Sequence, residues 1–261
     1  MIKAIFFDID GTLVSFKTHQ IPASTLEAVH NVRQAGVKVF IATGRPIPFV
    51  NNLGSLEYDG IMSASGASCV TLEGETIYHK TICKEDLKQL IAYHKDHPYP
   101  IAFASDNDVF ITSQNDVTHE VSDLLKVNDY GGTRPIEECL NMDVMQIVAF
   151  FEEKEQAHIM ENILTHCDAF RWHPAFIDAV AKGTSKATGV DLMLEHYGIK
   201  LEESMAFGDG GNDIEMLDHV PYSVAMGNAS DEVKRHARYI TDTIDNDGIA
   251  KMLNKINELN A

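Results

Sequence analysis

The stretch Phe6-Phe7-Asp8-Ile9-Asp10-Gly11-Thr12-Leu13 constrains the fold more than any other. Before its first acid, Ala4-Ile5-Phe6-Phe7 is continuously apolar, as a parallel strand covered on both faces must be. Residues i and i+2 of an extended segment point to one side, so Asp8 and Asp10 face a common point. Gly11 lets the chain leave the strand sharply. Open α/β sheets bind ligands just beyond the carboxyl ends of their strands, where this pair of acids stands. Two close carboxylates repel unless a proton or a cation separates them. An Asp-rich turn would account for either acid singly.

Three further segments repeat the design. Val39-Phe40-Ile41-Ala42 is a second apolar strand ending on Thr43-Gly44-Arg45-Pro46. A hydroxyl and exposed amides there, leading into a helix opened by Pro46, form a phosphate cradle, although Thr43 taken alone reads better as an ordinary helix cap. Ala181-Lys182-Gly183-Thr184-Ser185-Lys186 precedes the helical run from Ala187 to Tyr197; a lysine near a helix N-terminus opposes the dipole, which points to another task. Finally Met205-Ala206-Phe207 runs into Gly208-Asp209-Gly210-Gly211-Asn212-Asp213, acids and glycines at a third strand end.

In this order the four segments resemble the motifs of the haloacid dehalogenase superfamily, and the chain looks like its Cof-type phosphatases. Lys182-Gly183-Thr184-Ser185-Lys186 and Val224-Ala225-Met226-Gly227-Asn228-Ala229 extend the likeness. The resemblance implies a Mg2+-dependent phosphatase of small phosphorylated metabolites, sugar phosphates foremost, working through an aspartyl-phosphate. It makes Asp8 the nucleophile and a metal ligand. Asp10 lends a backbone carbonyl to the metal, and its side chain is the general acid/base. Asp209 is the further direct carboxylate ligand, with Asp213 serving the metal more indirectly. Thr43, Gly44, Lys186 and Asn212 hold phosphoryl oxygens, and Arg45 is a substrate-binding candidate. A sugar phosphomutase shares this nucleophile, and an idle regulatory protein could share the fold; retention of every expected catalytic side chain argues against the second.

Alternating strands and helices predict a doubly wound parallel-sheet, Rossmann-like α/β core. From about Cys83 the pattern changes to paired strands and separate helices, which reads as an α+β cap at 83–182 inserted into a core of 1–82 and 183–261. Helices are expected from Ser24 as cap to Gly36, and over 84–97, 116–125, 153–164, 187–197, 214–219, 232–238 and 248–259. Strands are expected at 60–63, 68–72, 76–79, 101–105, 109–112, 143–151, 170–172, 176–180, 204–207 and 223–225. Core motifs see only phosphoryl oxygens and metal, so specificity belongs to the cap, first to the segment holding Arg171, His173 and Asp178.

Lys plus Arg total 21 against 39 Asp plus Glu, a net charge of -18, which opposes nucleic-acid and anionic-membrane partners. Cys69, Cys83, Cys139 and Cys167 lack metal-type spacing and read as reduced thiols of a cytoplasmic protein. A monomer or weak homo-oligomer is expected. His94 and His97 read as a solvated helix face, Met62 and Met226 as packing, Trp172 as cap core or substrate contact, and Ser65-Gly66-Ala67 as lining the seam between domains.

Overall fold

The computed structural model describes residues 1–127 and 129–255, apart from the side chains of Asp129 and Trp172. Strand β1 (Ala4–Phe7) is wholly buried. It pairs in parallel with β2 (Lys38–Ala42) on one side and β11 (Ser204–Gly208) on the other. Beyond β2 lie β3 (Gly60–Ser63), β4 (Ser68–Thr71) and β5 (Thr76–His79); beyond β11 lie β12 (Tyr222–Ala225) and β13 (Tyr239–Ile240). The eight strands run β13-β12-β11-β1-β2-β3-β4-β5, antiparallel only at β3-β4-β5.

Helices α1 (Ala23–Gln34) and α8 (Gly248–Leu253) cover one face; α5 (Lys186–Tyr197) and α6 (Ile214–His219) cover the other. The pleat of β1 assigns the residues. Phe7 stacks on Phe207 at 4.9 Å within the α1/α8 cluster, while Phe6 stacks on Phe40 at 5.0 Å within the α5/α6 cluster. A strand buried on both faces has no polar row, hence its unbroken apolar sequence. With α7 (Asp231–Arg235), this is the doubly wound arrangement that the alternation predicts.

Between β5 and α5 a second sheet is inserted, in the order β7-β6-β8-β10-β9 and antiparallel throughout. Its strands are β6 (Ile101–Ala104), β7 (Val109–Ile111), β8 (Gln146–Ala149), β9 (Cys167–His173) and β10 (Phe176–Ala181). Ile101 and Phe103 face outward into a core shared with α2 (Lys84–Asp96) and α4 (Glu153–Asn162). Ala102 and Ala104 face the other way, with α3 (Asp116–Leu125), towards the first sheet. Small residues on that inner face leave room for a cavity, whereas bulky ones fill the outer face. Ala64, Ala67 and Met145 form a buried contact at the junction, so the expected seam around Ser65-Gly66-Ala67 is present.

Several local readings change. Ser24 does not cap α1: it lies inside the helix, Pro22 holds the N-cap position before Ala23, and the Ser24 hydroxyl bonds Asp247. Pro22 fixes its own φ at the helix entry, and the first turn has no side-chain cap bond. Pro46 opens only a three-residue 3-10 turn, Ile47–Phe49, and not a helix; the loop is held by other partners. The strand expected over 143–151 shortens to β8, that over 170–172 lengthens to β9, and helix 232–238 shortens to α7. The two-residue β13 escaped the periodicity, being too short to show one. The stretch 256–259 of the expected last helix lies outside the described residues. The four thiols are free, with only Cys83 exposed, and among the described residues no helix is long and apolar enough to cross a membrane.

Candidate active site

Each of the four sequence segments ends at the same edge of the first sheet. The Lys186 ammonium donates to Asp8 Oδ1 and Asp213 Oδ1, both at 2.6 Å, with all three residues buried. The other Asp213 oxygen accepts the amides of Asp209 and Gly210, each at 2.9 Å. Asp213 therefore fastens the glycine-rich loop to the lysine. Thr12 Oγ1 donates to Asp209 Oδ1 at 2.7 Å, joining the first segment to the fourth. Asn228 Nδ2 donates to the Gly11 carbonyl at 2.9 Å and to Asp209 Oδ2 at 3.2 Å. In the sequence Asn228 belongs to the motif Val224–Ala229 without a task, and Thr12 carries no signal separable from the turn.

Gly11 adopts φ +87°, and a Cβ there would lie 2.1 Å from Asp209 Oδ2. The backbone strain alone costs an alanine about 1–2 kcal/mol, or roughly 2–8 °C of Tm for a chain of this size. Gly11→Ala should lower Tm by at least that much and also cut turnover, since it displaces Asp209. Differential scanning calorimetry checks the first effect; an unchanged Tm would remove the close approach from the account.

Burial pushes the Asp8 carboxyl well above the usual carboxylate range, aided by Asp213, Asp209 and Asp10 and opposed by Lys186. Asp209 is pushed up to about 7, by burial first and Asp213 next. Burial works against the charge of Lys186, yet Asp213 and Asp8 more than offset it and raise its pKa. Ligand oxygens of Asp8, Asp209 and Asp213 lie within 4.8 Å of one another. Crowded all-oxygen donors, two buried and Asp209 half-buried, short of positive charge, fit a hard divalent cation such as Mg2+. The Asp10 side chain, read as the acid/base rather than as a ligand, has a partner of its own. Both its oxygens are held by Arg45, from Nε at 2.6 Å and from Nη2 at 2.7 Å.

Arg45 is itself buried, and its remaining bonds go to the carbonyls of Phe49 at 2.9 Å and Leu125 at 2.7 Å. The Arg45 side chain, read from the sequence as a substrate-binding candidate, is thus held by Asp10 and by backbone oxygens. Thr43 accepts the Arg45 amide on Oγ1 at 3.0 Å, and a Gly44 Cβ would stand 3.0 Å from Asn212 Nδ2. Thr43, Gly44 and Asn212 accordingly line one cavity with Asp8, Asp10 and Asp209.

That cavity has a volume of about 880 Å³ and is roofed by the inserted sheet. Ala102, Ala104, Val121 and Tyr130 form its apolar wall, and Gln146, Arg171, His173 and Asp178 its polar one. The three cap residues singled out from the sequence all line it, although Arg171 is committed to Gln156 at 2.8 Å and to the Pro174 carbonyl at 2.8 Å. Gln146 and Tyr130 went unnoticed in the sequence, where each reads as part of a strand or loop. Lys182 is exposed beside the junction, with Lys80 Nζ on its carbonyl at 2.6 Å, away from the carboxylates.

Comparison with known proteins agrees with this geometry. A family model described as haloacid dehalogenase-like hydrolase matches residues 5–253. The chain is 31% identical to a putative phosphatase, YkrA, of Bacillus subtilis over 95% of each chain. It is 27% identical to the 5-amino-6-(5-phospho-D-ribitylamino)uracil phosphatase YitU of the same organism, again over 95% of each. The solved structure of the sugar phosphatase BT4131, of HAD subclass IIB, superposes with a TM-score of 0.91 at 42% identity, covering 98% of this chain and 99% of that one. The family match runs from β1 through the inserted sheet to α8 and leaves no strand of either sheet outside it; the chain belongs to the haloacid dehalogenase-like hydrolases, among their Cof-type phosphatases.

Proposed function

We propose that this enzyme is a Mg2+-dependent phosphatase of small phosphorylated metabolites, with sugar phosphates as the substrate class, acting through an aspartyl-phosphate on Asp8. The observation that carries the reading is the 2.6 Å contact of Lys186 with Asp8 inside a buried carboxylate cluster, under a cavity large enough for a metabolite. Sugar phosphates are favoured by the likeness to a solved sugar phosphatase.

Lys186 holds Asp8 Oδ1 and leaves Oδ2 to attack phosphorus. The bond from phosphorus to the leaving oxygen breaks, and that oxygen takes a proton from Asp10. In the second half, Asp10 takes a proton from water, which attacks the acyl-phosphate; inorganic phosphate departs and Asp8 is restored. Arg45 now occupies both Asp10 oxygens, so it must yield one of them to the transferring proton. Thr43, Lys186 and Asn212 hold the phosphoryl oxygens, stabilising charge that grows in the transition state. A cation held by Asp8, Asp209 and the Asp10 carbonyl, with Asp213 behind them, would neutralise the repulsion between a dianionic substrate and a carboxylate nucleophile. Residues 83–182 act as the cap that meets the leaving alcohol, closing off water.

Phosphate release from a panel of sugar phosphates tests the reading. Turnover is expected with Mg2+, disappears on chelation and returns on readdition. No release from any monoester at saturating Mg2+ would refute it, and conversion of a hexose 1-phosphate into its 6-phosphate would make the enzyme a mutase.

A further inference from the structure

Two consecutive residues of the loop after β2 are tied to the inserted segment, one to its sheet and one to α3. The Gly44 carbonyl accepts from Gln146 Nε2 at 2.8 Å, and Arg45 Nη2 donates to the Leu125 carbonyl at the end of α3 at 2.7 Å. Gln146 stands on β8, in the middle of the cap sheet, and is 1% exposed. Arg45 is the residue that grips both oxygens of Asp10. The contacts therefore run from the cap, through the loop, to the acid/base side chain.

We infer that Gln146 and Arg45 are positioning residues, which align Asp10 with the leaving oxygen only while the cap is seated. The inference rests on the reading of Asp10 as the acid that protonates the leaving group. A guanidinium fork is planar and rigid, so the direction of Arg45 sets the rotamer of the carboxylate it clasps. Three things orient that fork besides Asp10: the Phe49 carbonyl, the Leu125 carbonyl and the path of the loop. Cap opening removes the second outright. It also frees the Gly44 carbonyl, loosening the third. Leaving the loop unanchored displaces the acid, and misplacement by about 1 Å can cost on the order of 10²-fold in rate. Chemistry is thereby confined to the closed form, in which the substrate is already shielded from bulk water.

Gln146 is the point at which the coupling can be cut without touching the reacting groups. Its Nε2 makes the one bond to Gly44, and its Oε1 is buried with no partner. A methionine of similar size deletes that bond and also removes the unpartnered acceptor, so Gln146→Met should keep its Tm.

The signature is dependence on the leaving group. Expelling p-nitrophenolate needs no proton, whereas expelling a sugar alkoxide does. With Mg2+ saturating, Gln146→Met and Arg45→Lys should each lose about tenfold to hundredfold in kcat on glucose 6-phosphate. The same variants should lose far less in kcat on p-nitrophenyl phosphate, with the Mg2+ requirement held. Asp10→Asn is the reference and should show the same discrimination more strongly. Equal losses on the two esters, or none on either, would overturn the inference for Gln146. Should Gln146→Met unfold, Gln146→Glu retains the size but presents no amide donor, and the same ratio of esters decides. Absence of discrimination in Asp10→Asn itself would instead overturn the acid role of Asp10, and the inference with it.

Discussion

Replacing Asp8 by Asn is expected to abolish turnover, by on the order of 10⁴–10⁶ in kcat, the scale on which removal of a covalent nucleophile registers in other enzymes. The amide matches the carboxylate in shape, so packing beneath β1 is retained. It has neither the charge to attack phosphorus nor the hard oxygen pair that a divalent cation prefers. Stability should hold or rise, because a buried carboxyl crowded by Asp213 and Asp209 is replaced by a neutral group. One opposing term is the bond from Lys186, which the amide oxygen can still accept. The measurement is single-turnover phosphate release alongside thermal denaturation. Near-normal release from a folded variant would remove the covalent step from the mechanism.

The second large effect concerns the two lysines that flank Gly183-Thr184-Ser185. Lys186→Ala should lose about 10²–10³ in kcat/KM, the range seen when a transition-state charge partner is deleted, and Lys182→Ala almost nothing. Lys186 is buried between Asp8 and Asp213, while Lys182 is exposed. Lys186→Ala also leaves two buried carboxylates facing each other, and breaking a buried pair costs about 3–5 kcal/mol. Its Tm should therefore fall as well, with partial recovery when Mg2+ supplies the missing charge. Comparing kcat/KM at saturating Mg2+, on protein shown to be folded by circular dichroism, separates the catalytic loss from the structural one. Similar small losses from both lysines would move the phosphoryl site away from Lys186.

Much of this site was written locally. The run Phe6-Phe7-Asp8-Ile9-Asp10-Gly11 states in six residues that a two-faced strand ends on acids. The reason is that burial, pleat and turn geometry all act over one or two residues. The same holds for Phe207-Gly208-Asp209 and for Lys186, whose position at the start of α5 contradicts the helix dipole and so betrays a partner elsewhere. Four such segments in order determined the fold class and the family, and they name residues that meet at one edge of the sheet. They did so because each strand end carries its own chemistry and an open parallel sheet gathers those ends on one side.

What only the tertiary structure decided are the partners of side chains that could have gone anywhere. Arg45 reads as a cation after a strand end; its partner Asp10 lies 35 positions away in the chain. Gln146 reads as an ordinary strand residue, and its meaning comes from a carbonyl 102 positions earlier. Thr12 reaches Asp209 across 197 positions. No local period encodes such pairings, since a hydrogen bond needs two groups within about 3 Å and the chain folds them there only through the docking of whole sheets. The size of the cavity belongs to the same class. It follows from Ala102 and Ala104 facing inward while Ile101 and Phe103 face outward, and the direction of that alternation is set by which face of the inserted sheet meets the core.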